Sequence, residues 1–171
     1  MALHKSIRRH PFICFLATLG NALRGRIHFS QEYIGKTLRM DDGQMFTIFR
    51  HVTLDVSKRN SEDTPAVFIV RFKFAKLSQK ANRITSLIPI PLIVGFPGFR
   101  DKIWMVNEET GYWQGVYQWE SEKAIEDYQQ SFVLGIMNKR SIQESLSYTI
   151  LPNTRLSEYM ERHLIKGEKK P

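Results

Sequence analysis

The residues best suited to chemistry in this chain of 171 are aromatic rings set beside cations. All three tryptophans, Trp104, Trp113 and Trp119, fall in one stretch with Tyr117, and Tyr128 follows shortly after. Arg100 and Lys102 open that stretch, and Arg71 lies upstream. Rings with cations at one end suit a flat aromatic or acidic ligand, through stacking and cation–π attraction. The competing reading is structural: the same rings are core aromatics packed under helices. Residues 65–151 contain no His and no Cys, so metal ligation or acid–base work by those side chains has no counterpart there. Any catalysis would rest on Tyr117, Trp104, Trp119, Arg71, Arg100, Lys102 or Asn107, with cations and donors stabilising a substrate anion; residue types alone assign no catalytic residue. The five histidines (His4, His10, His28, His51, His163) are scattered, and His51 and His163 would have to fold over to reach this region. There is no paired-His metal spacing, no cysteine pair and no nucleophile elbow, so neither a metal nor a cofactor is expected. Gly35-Lys36-Thr37 is no phosphate loop, because Ser30 stands where the first glycine is needed.

The elements that must position these rings follow from periodicity and punctuation. Ala66–Phe74 is dense in β-branched and aromatic residues and reads as a strand apolar on both faces. Residues 76–88 read as a helix with Leu77, Ala81, Ile84 and Ile88 on its stripe, stopped or kinked by Pro89 and Pro91. Phe99–Asn107 and Tyr112–Glu120 are strands joined by the turn Glu108–Gly111. Ser121 can cap a helix running to about Lys139, with Ile125, Tyr128, Phe132 and Ile136 inward. Glu144–Leu151 alternates as a fourth strand, and Leu156, Tyr159, Met160 and Leu164 mark a short final helix. The order β-α-β-β-α-β predicts an α+β, ferredoxin-like domain over 66–151, a four-stranded antiparallel sheet with two helices. The turn sets Val106 opposite Trp113 and Trp104 opposite Gly115, where a large ring has room. Arg100, Lys102, Trp104, Trp113, Tyr117 and Trp119 then share one face, with Phe99 and Asp101 on the other. Two helices cover only one face of such a sheet, so a partner subunit, the N-terminal segment or a ligand must cover the second. A partner subunit is the first expectation, because symmetric dimers are the commonest oligomers.

Residues 1–56 read as an extension, a helix followed by a hairpin, and 152–171 as a C-terminal helix with a basic tail. Lys36–Met40 and Gln44–Leu54 flank Asp41-Asp42-Gly43, a tight-turn signal, and Ser57–Pro65 is a polar boundary. The net charge of +8 lies at the ends. Residues 1–40 carry +6, residues 155–171 carry +2, and the middle is neutral. A nucleic-acid binder carries its cations on the binding face, so this distribution argues against nucleic acid and, weakly, for an anionic membrane surface at the N-terminus. Strand-three aromatics invite an RNA-binding reading, but Gly111-Tyr112-Trp113-Gln114-Gly115 departs from that motif. Phe12, Phe15, Leu16, Leu19 and Leu23 recur at helical spacing after Pro11, too short a run to span a bilayer. Three readings stay open for it: a helix docked on the domain, an interfacial membrane helix, or a cleaved leader. Cys14, in apolar surroundings, reads as a small buried hydrophobe, and a lone cysteine fits a reducing, cytoplasmic setting with peripheral membrane contact as an option.

Trp119-Glu120-Ser121 followed by Ala124 and Tyr128, and preceded by Thr110-Gly111, Gly115 and Tyr117, resembles the antibiotic-biosynthesis-type monooxygenases of the dimeric α/β-barrel superfamily. The resemblance spans roughly residues 66–151. It implies a homodimer whose sheets face one another. It also implies a pocket between sheet and helices, lined by Trp119, used in some members to oxidise aromatic polyketides or degrade haem. On that likeness the chain is expected to oxidise an apolar aromatic molecule without a cofactor. The alternative is a non-catalytic ligand-binding or peripheral membrane module.

Overall fold

The computed structural model describes residues 10–56 and 64–165. Most of the expected boundary Ser57–Pro65, the cations Lys5, Arg8 and Arg9, and the basic tail from residue 166 lie outside them. The chain runs α1 (Pro11–Leu23), β1 (Ile27–Phe29), β2 (Thr37–Arg39), β3 (Met45–Leu54), β4 (Ala66–Phe72), α2 (Gln79–Thr85), α3 (Ile90–Val94), β5 (Phe99–Val106), β6 (Trp113–Trp119), α4 (Glu122–Gln129), α5 (Phe132–Arg140), β7 (Ser147–Leu151) and α6 (Leu156–His163). All strands join one antiparallel sheet in the order β1-β3-β5-β6-β4-β7, with β2 also paired to β3. Within it β7-β4-β6-β5 is the ferredoxin-like order, and β3 of the extension continues the same sheet beyond β5.

The turn does what its residues dictate. Asn107 Oδ1 accepts from the Glu109 and Thr110 amides at 3.1 and 3.0 Å, and Gly111 takes a φ of 74°. The register follows as expected: Val106 opposite Trp113, Trp104 opposite Gly115, Lys102 opposite Tyr117. Between Phe99 and Asp101 the register shifts, and this bulge moves Phe99 to the helix side, where it meets Trp119 with ring centroids 5.7 Å apart. The expectation that Phe99 shares a face with Asp101 is corrected on that ground.

Two cores result, one on each face. The helix side packs Phe68, Val70, Trp104, Trp113, Tyr117 and Trp119 under α3, α4 and α5. The other face is covered by the chain itself: Leu38 and Met40 of the hairpin and Leu156, Tyr159 and Met160 of α6 bury Val67, Ile103, Met105 and Val116. Each fully buried side chain of this size contributes about 1.5–3 kcal/mol. Two glutamines of β6 hold α6 there. Gln118 Oε1 accepts from the Leu156 amide at 2.8 Å, and Gln114 Nε2 reaches the Tyr159 hydroxyl at 3.3 Å.

Helix phases differ from the periodicity in two places. Leu77 sits at φ 71° outside α2, and Ile84 and Ile88 are exposed. The helix turns Asn82 inward instead, because Asn82 Nδ2 donates to the Lys76 and Leu77 carbonyls while Arg140 Nη2 donates to Thr85 Oγ1 at 2.7 Å. The single helix expected from Ser121 is two, because Ser131 caps a fresh start by accepting from the Leu134 amide. That rephasing exposes Phe132 and Ile136 and buries Val133 and Leu134.

Helix α1 docks on α3 through the side opposite its apolar stripe. Cys14 is its one fully buried residue, Thr18 Oγ1 donates to the Pro91 carbonyl, and Phe12, Phe15, Leu16, Leu19 and Leu23 face outward. Gly95 makes the seam: a Cβ there would stand 1.8 Å from the Cys14 carbonyl oxygen. Gly95→Ala is therefore expected to lift α1 and cost about 1–3 kcal/mol. Gly135→Ala in α5, where a Cβ meets nothing within 4 Å, should stabilise by about 0.5–1 kcal/mol. Urea unfolding midpoints check both; a Gly95→Ala protein as stable as wild type would sink the seam.

Candidate functional site

An internal cavity of about 50 Å³ lies between the sheet and the helices, with room for about four water molecules. Trp104 of β5, Trp113 and Tyr117 of β6, Tyr128 of α4 and Lys102 of β5 line it. These five expected site residues are brought together. Trp119 is not among the lining residues; it stands behind Tyr128, ring centroids 4.7 Å apart, with Phe96 and Phe99 around it.

Arg71 and Arg100 lie elsewhere. Arg71 is on the opposite face, donating from Nε to Gln114 Oε1 at 2.8 Å and pairing with Asp42 of the hairpin. Arg100 Nη2 pairs with Glu120 Oε2 at 2.7 Å. Asn107 is spent on the turn. The cavity wall holds residues the sequence reading passed over: Phe72, Phe74, Ser86, Val133 and Met137. Phe74 lay inside the first expected strand; Val133 and Met137 carried no readable signal, because they depend on the helix restart at Ser131.

Gly115 shapes the site. A Cβ there would stand 2.9 Å from the Tyr117 ring and 3.4 Å from Lys102 Cε, so the missing side chain is where the lysine stem and that ring meet. The room expected for Trp104 over Gly115 is taken by these two. Lys102 is 4% exposed, and its Nζ sits 4.1 Å from the ring centroids of both Trp104 and Tyr117. Among the described residues it has no hydrogen-bond or ion-pair partner. Burial, reinforced by the Arg50 guanidinium, holds the amine well below the usual lysine range. Arg50 itself is anchored, donating from Nη1 to Ser86 Oγ at 2.5 Å and from Nη2 to the Arg83 carbonyl at 3.0 Å.

The tyrosines move the other way. Burial raises Tyr117 and Tyr128 above the usual phenol range, so both keep their protons. Each hydroxyl feels the other, yet the Tyr128 hydroxyl is buried without a hydrogen bond of proper geometry. Chemically the site is a ring-lined cavity with one amine and two phenol donors.

The histidines do fold onto the domain, on the far face. His51 Nε2 lies 2.8 Å from Asp101 Oδ1, with Thr53 Oγ1 donating to Asp101 Oδ2 at 3.3 Å. His163 Nε2 lies 3.5 Å from Asp41 Oδ1. Neither lines the aromatic cavity. Among the described residues no three His, Cys, Asp or Glu side chains gather to hold a metal ion.

Comparison with known proteins places this fold in company. The chain is similar to Rv0793 from Mycobacterium tuberculosis, at 18% identity over 52% of this chain and 93% of that one, with a TM-score of 0.43. It is similar to a heme-degrading enzyme from Listeria monocytogenes, at 11% identity over 77% and 90%, TM-score 0.44. A ferredoxin-fold protein related to antibiotic biosynthesis monooxygenases, also from Listeria monocytogenes, matches at 13% identity over 76% and 93%, TM-score 0.43. Among curated proteins none matches. A family model matches residues 67–158, which hold β4 to β7 and the cavity they frame, and by that match over more than half its length the chain belongs to the family described as "Putative mono-oxygenase ydhR".

Proposed function

We propose that the chain oxidises a small apolar phenol in the cavity above Lys102, with dioxygen as oxidant and no bound cofactor. The observation that carries this reading is the cavity itself, ring-lined, with a single amine and no His or Cys in its wall. In such a reaction a phenol becomes a quinone. One atom of dioxygen becomes the new carbonyl, and the other leaves as water with hydrogens given up by the ring and its hydroxyl. The protein's part is to orient the ring by stacking, exclude water and stabilise the substrate anion. Membership of a mono-oxygenase family supports the reaction class. At about 50 Å³ the cavity is smaller than the roughly 150 Å³ that holds a benzene ring, so even a single-ring substrate needs the wall between α3 and α5 to part.

Oxygen uptake by purified, chelator-treated protein with 4-methoxyphenol tests this. Wild type should consume oxygen above the protein-free rate. Gly115→Ala, whose Cβ forces the Tyr117 ring aside and packs against the Lys102 stem, should fall to that rate while its thermal midpoint stays within a few degrees. Uptake unchanged by Gly115→Ala, or absent with every single-ring phenol, would sink the proposal.

A second reading has an observation of its own in α1. Five large apolar side chains project from it, Leu23 being 82% and Phe12 61% exposed, and Arg24 and Arg26 follow at its end. No described helix is long and apolar enough to cross a membrane. A helix of this kind lying in the headgroup plane of an anionic membrane buries the apolar face while the cations meet phosphate. Self-association, expected from the resemblance, would use a surface other than the sheet face that α6 and the hairpin occupy. Full-length protein should co-sediment with phosphatidylserine vesicles and be released by salt, and a Phe12→Ser, Phe15→Ser, Leu19→Ser variant should stay in solution. Equal pelleting of both proteins, or of neither, counts against this. A variant that changes only the sedimentation coefficient in the absence of vesicles assigns the face to a second copy instead.

A further inference from the structure

Lys102 is an expensive residue in its position. A buried cation is tolerated when paired, and this amine has only two ring faces and a small cavity beside it. A methionine would fill the same stem volume above Gly115 without desolvating a charge. The groups that face it are Arg50 from β3, Tyr117 from β6 and Tyr128 from α4, none of them an acid ionised at neutral pH. The cavity thus offers one proton acceptor, the Lys102 amine, and one buried donor, the Tyr128 hydroxyl, which has the Tyr117 hydroxyl beside it but makes no well-aligned hydrogen bond.

We propose that Lys102 is the base that ionises a phenol-class ligand in this cavity, taking the hydroxyl proton to give an ammonium and a phenolate side by side. This rests on the reading of the cavity as a site for a small phenol and names the proton's destination. The O–H bond of the ligand breaks, its electron pair stays on oxygen, and the new N–H bond forms on Nζ. No electron changes hands in this step. The ammonium so formed is held against the Trp104 and Tyr117 rings, which attract a cation once it exists. The Tyr128 hydroxyl, which makes no well-aligned hydrogen bond without a ligand, donates to the phenolate oxygen. Burial, which favours the neutral amine, sets Lys102 ready to accept a proton.

Two ring probes of the same shape separate this step from the cavity reading. Nitrobenzene has no proton to give and reports whether a ring enters at all, through quenching of tryptophan fluorescence. 4-Nitrophenol, below the pH at which it ionises in water, reports the proton through its visible phenolate band. Wild type should bind both and turn bound 4-nitrophenol into its phenolate. Lys102→Met should lose the phenolate band, with nitrobenzene quenching in the same variant reporting whether a ring still enters. If wild type binds both probes but holds 4-nitrophenol neutral, Lys102 is no base and the cavity reading stands. A phenolate band that persists in Lys102→Met also overturns the proposal. If neither probe binds wild type, the cavity reading falls and this proposal with it. The wild-type spectrum alone decides the proton's fate should the variant fail to fold.

Discussion

A sheet that is apolar on both faces has to be covered twice, and the rest of this structure depends on that constraint. Val67, Ile103, Met105 and Val116 on one side are as fully buried as Phe68, Val70 and Trp119 on the other. The helices between strands are tied by short connections to one face only. The second face therefore falls to segments outside the βαββαβ unit. The hairpin supplies Leu38 and Met40, α6 supplies Leu156, Tyr159 and Met160, and a bridge between Leu38 and Leu164 joins the two covers. Gln114 and Gln118 look out of place in so apolar a strand until α6 is laid over them, where each meets a polar group of that helix.

Covering the second face internally changes what the first face can do. With hairpin and α6 in place, β4 and β6 are fixed from below, and the aromatic side is free to be packed imperfectly. Interiors otherwise pack as densely as organic crystals. The space left above Gly115 arises where β6 has no side chain, Lys102 lays its stem and the helix layer is interrupted at Ser131. His51 and Asp101, paired on the far face, show that the chain spends its one buried imidazole–carboxylate contact among the described residues on holding β3 to β5, away from the rings.

Much of this was legible, and the rest was not for physical reasons. Strand pairing around Glu108–Gly111 could be read because a four-residue turn ending in glycine fixes the register, and register fixes faces. Lys102, Trp104, Trp113 and Tyr117 followed from it, and Tyr128 from the helix that Ser121 caps. Arg100 and Phe99 did not, because a bulge moves a residue across the sheet without a sequence mark of its own. Arg71 lies between Val70 and Phe72 of β4, so strand alternation puts it on the opposite face, where Gln114 and Asp42 meet it. Helix phases failed wherever a polar contact outbid a periodic stripe. Arg140 pulls Asn82 and Thr85 inward and so turns Ile84 out, and Gly95 lets α1 dock by Cys14 instead of by its phenylalanines. Arg140 and Gly95 lie far along the chain from the helices they reorient, where periodicity has no information, whereas the restart at Ser131 is set by a local cap.

The protonation of the cavity follows from the same burial. Desolvation disfavours whichever form of a group is charged, so it lowers the amine and raises both phenols, and burial biases the whole lining towards its uncharged forms. A neutral ring loses little hydration on entering such a space, whereas a ligand already ionised in water would lose its hydration shell first. Charge then appears only after entry and only as a pair in contact, where Coulomb attraction is strongest and screening by salt is weakest. Arg50, with its guanidinium over the Trp104 ring, is already held by Ser86 and the Arg83 carbonyl, so it biases the amine from a fixed position. On that proposal an apolar wall with one proton acceptor would select for neutral acids over anions, and that selectivity would arise from burial before any specific contact to the ligand is counted.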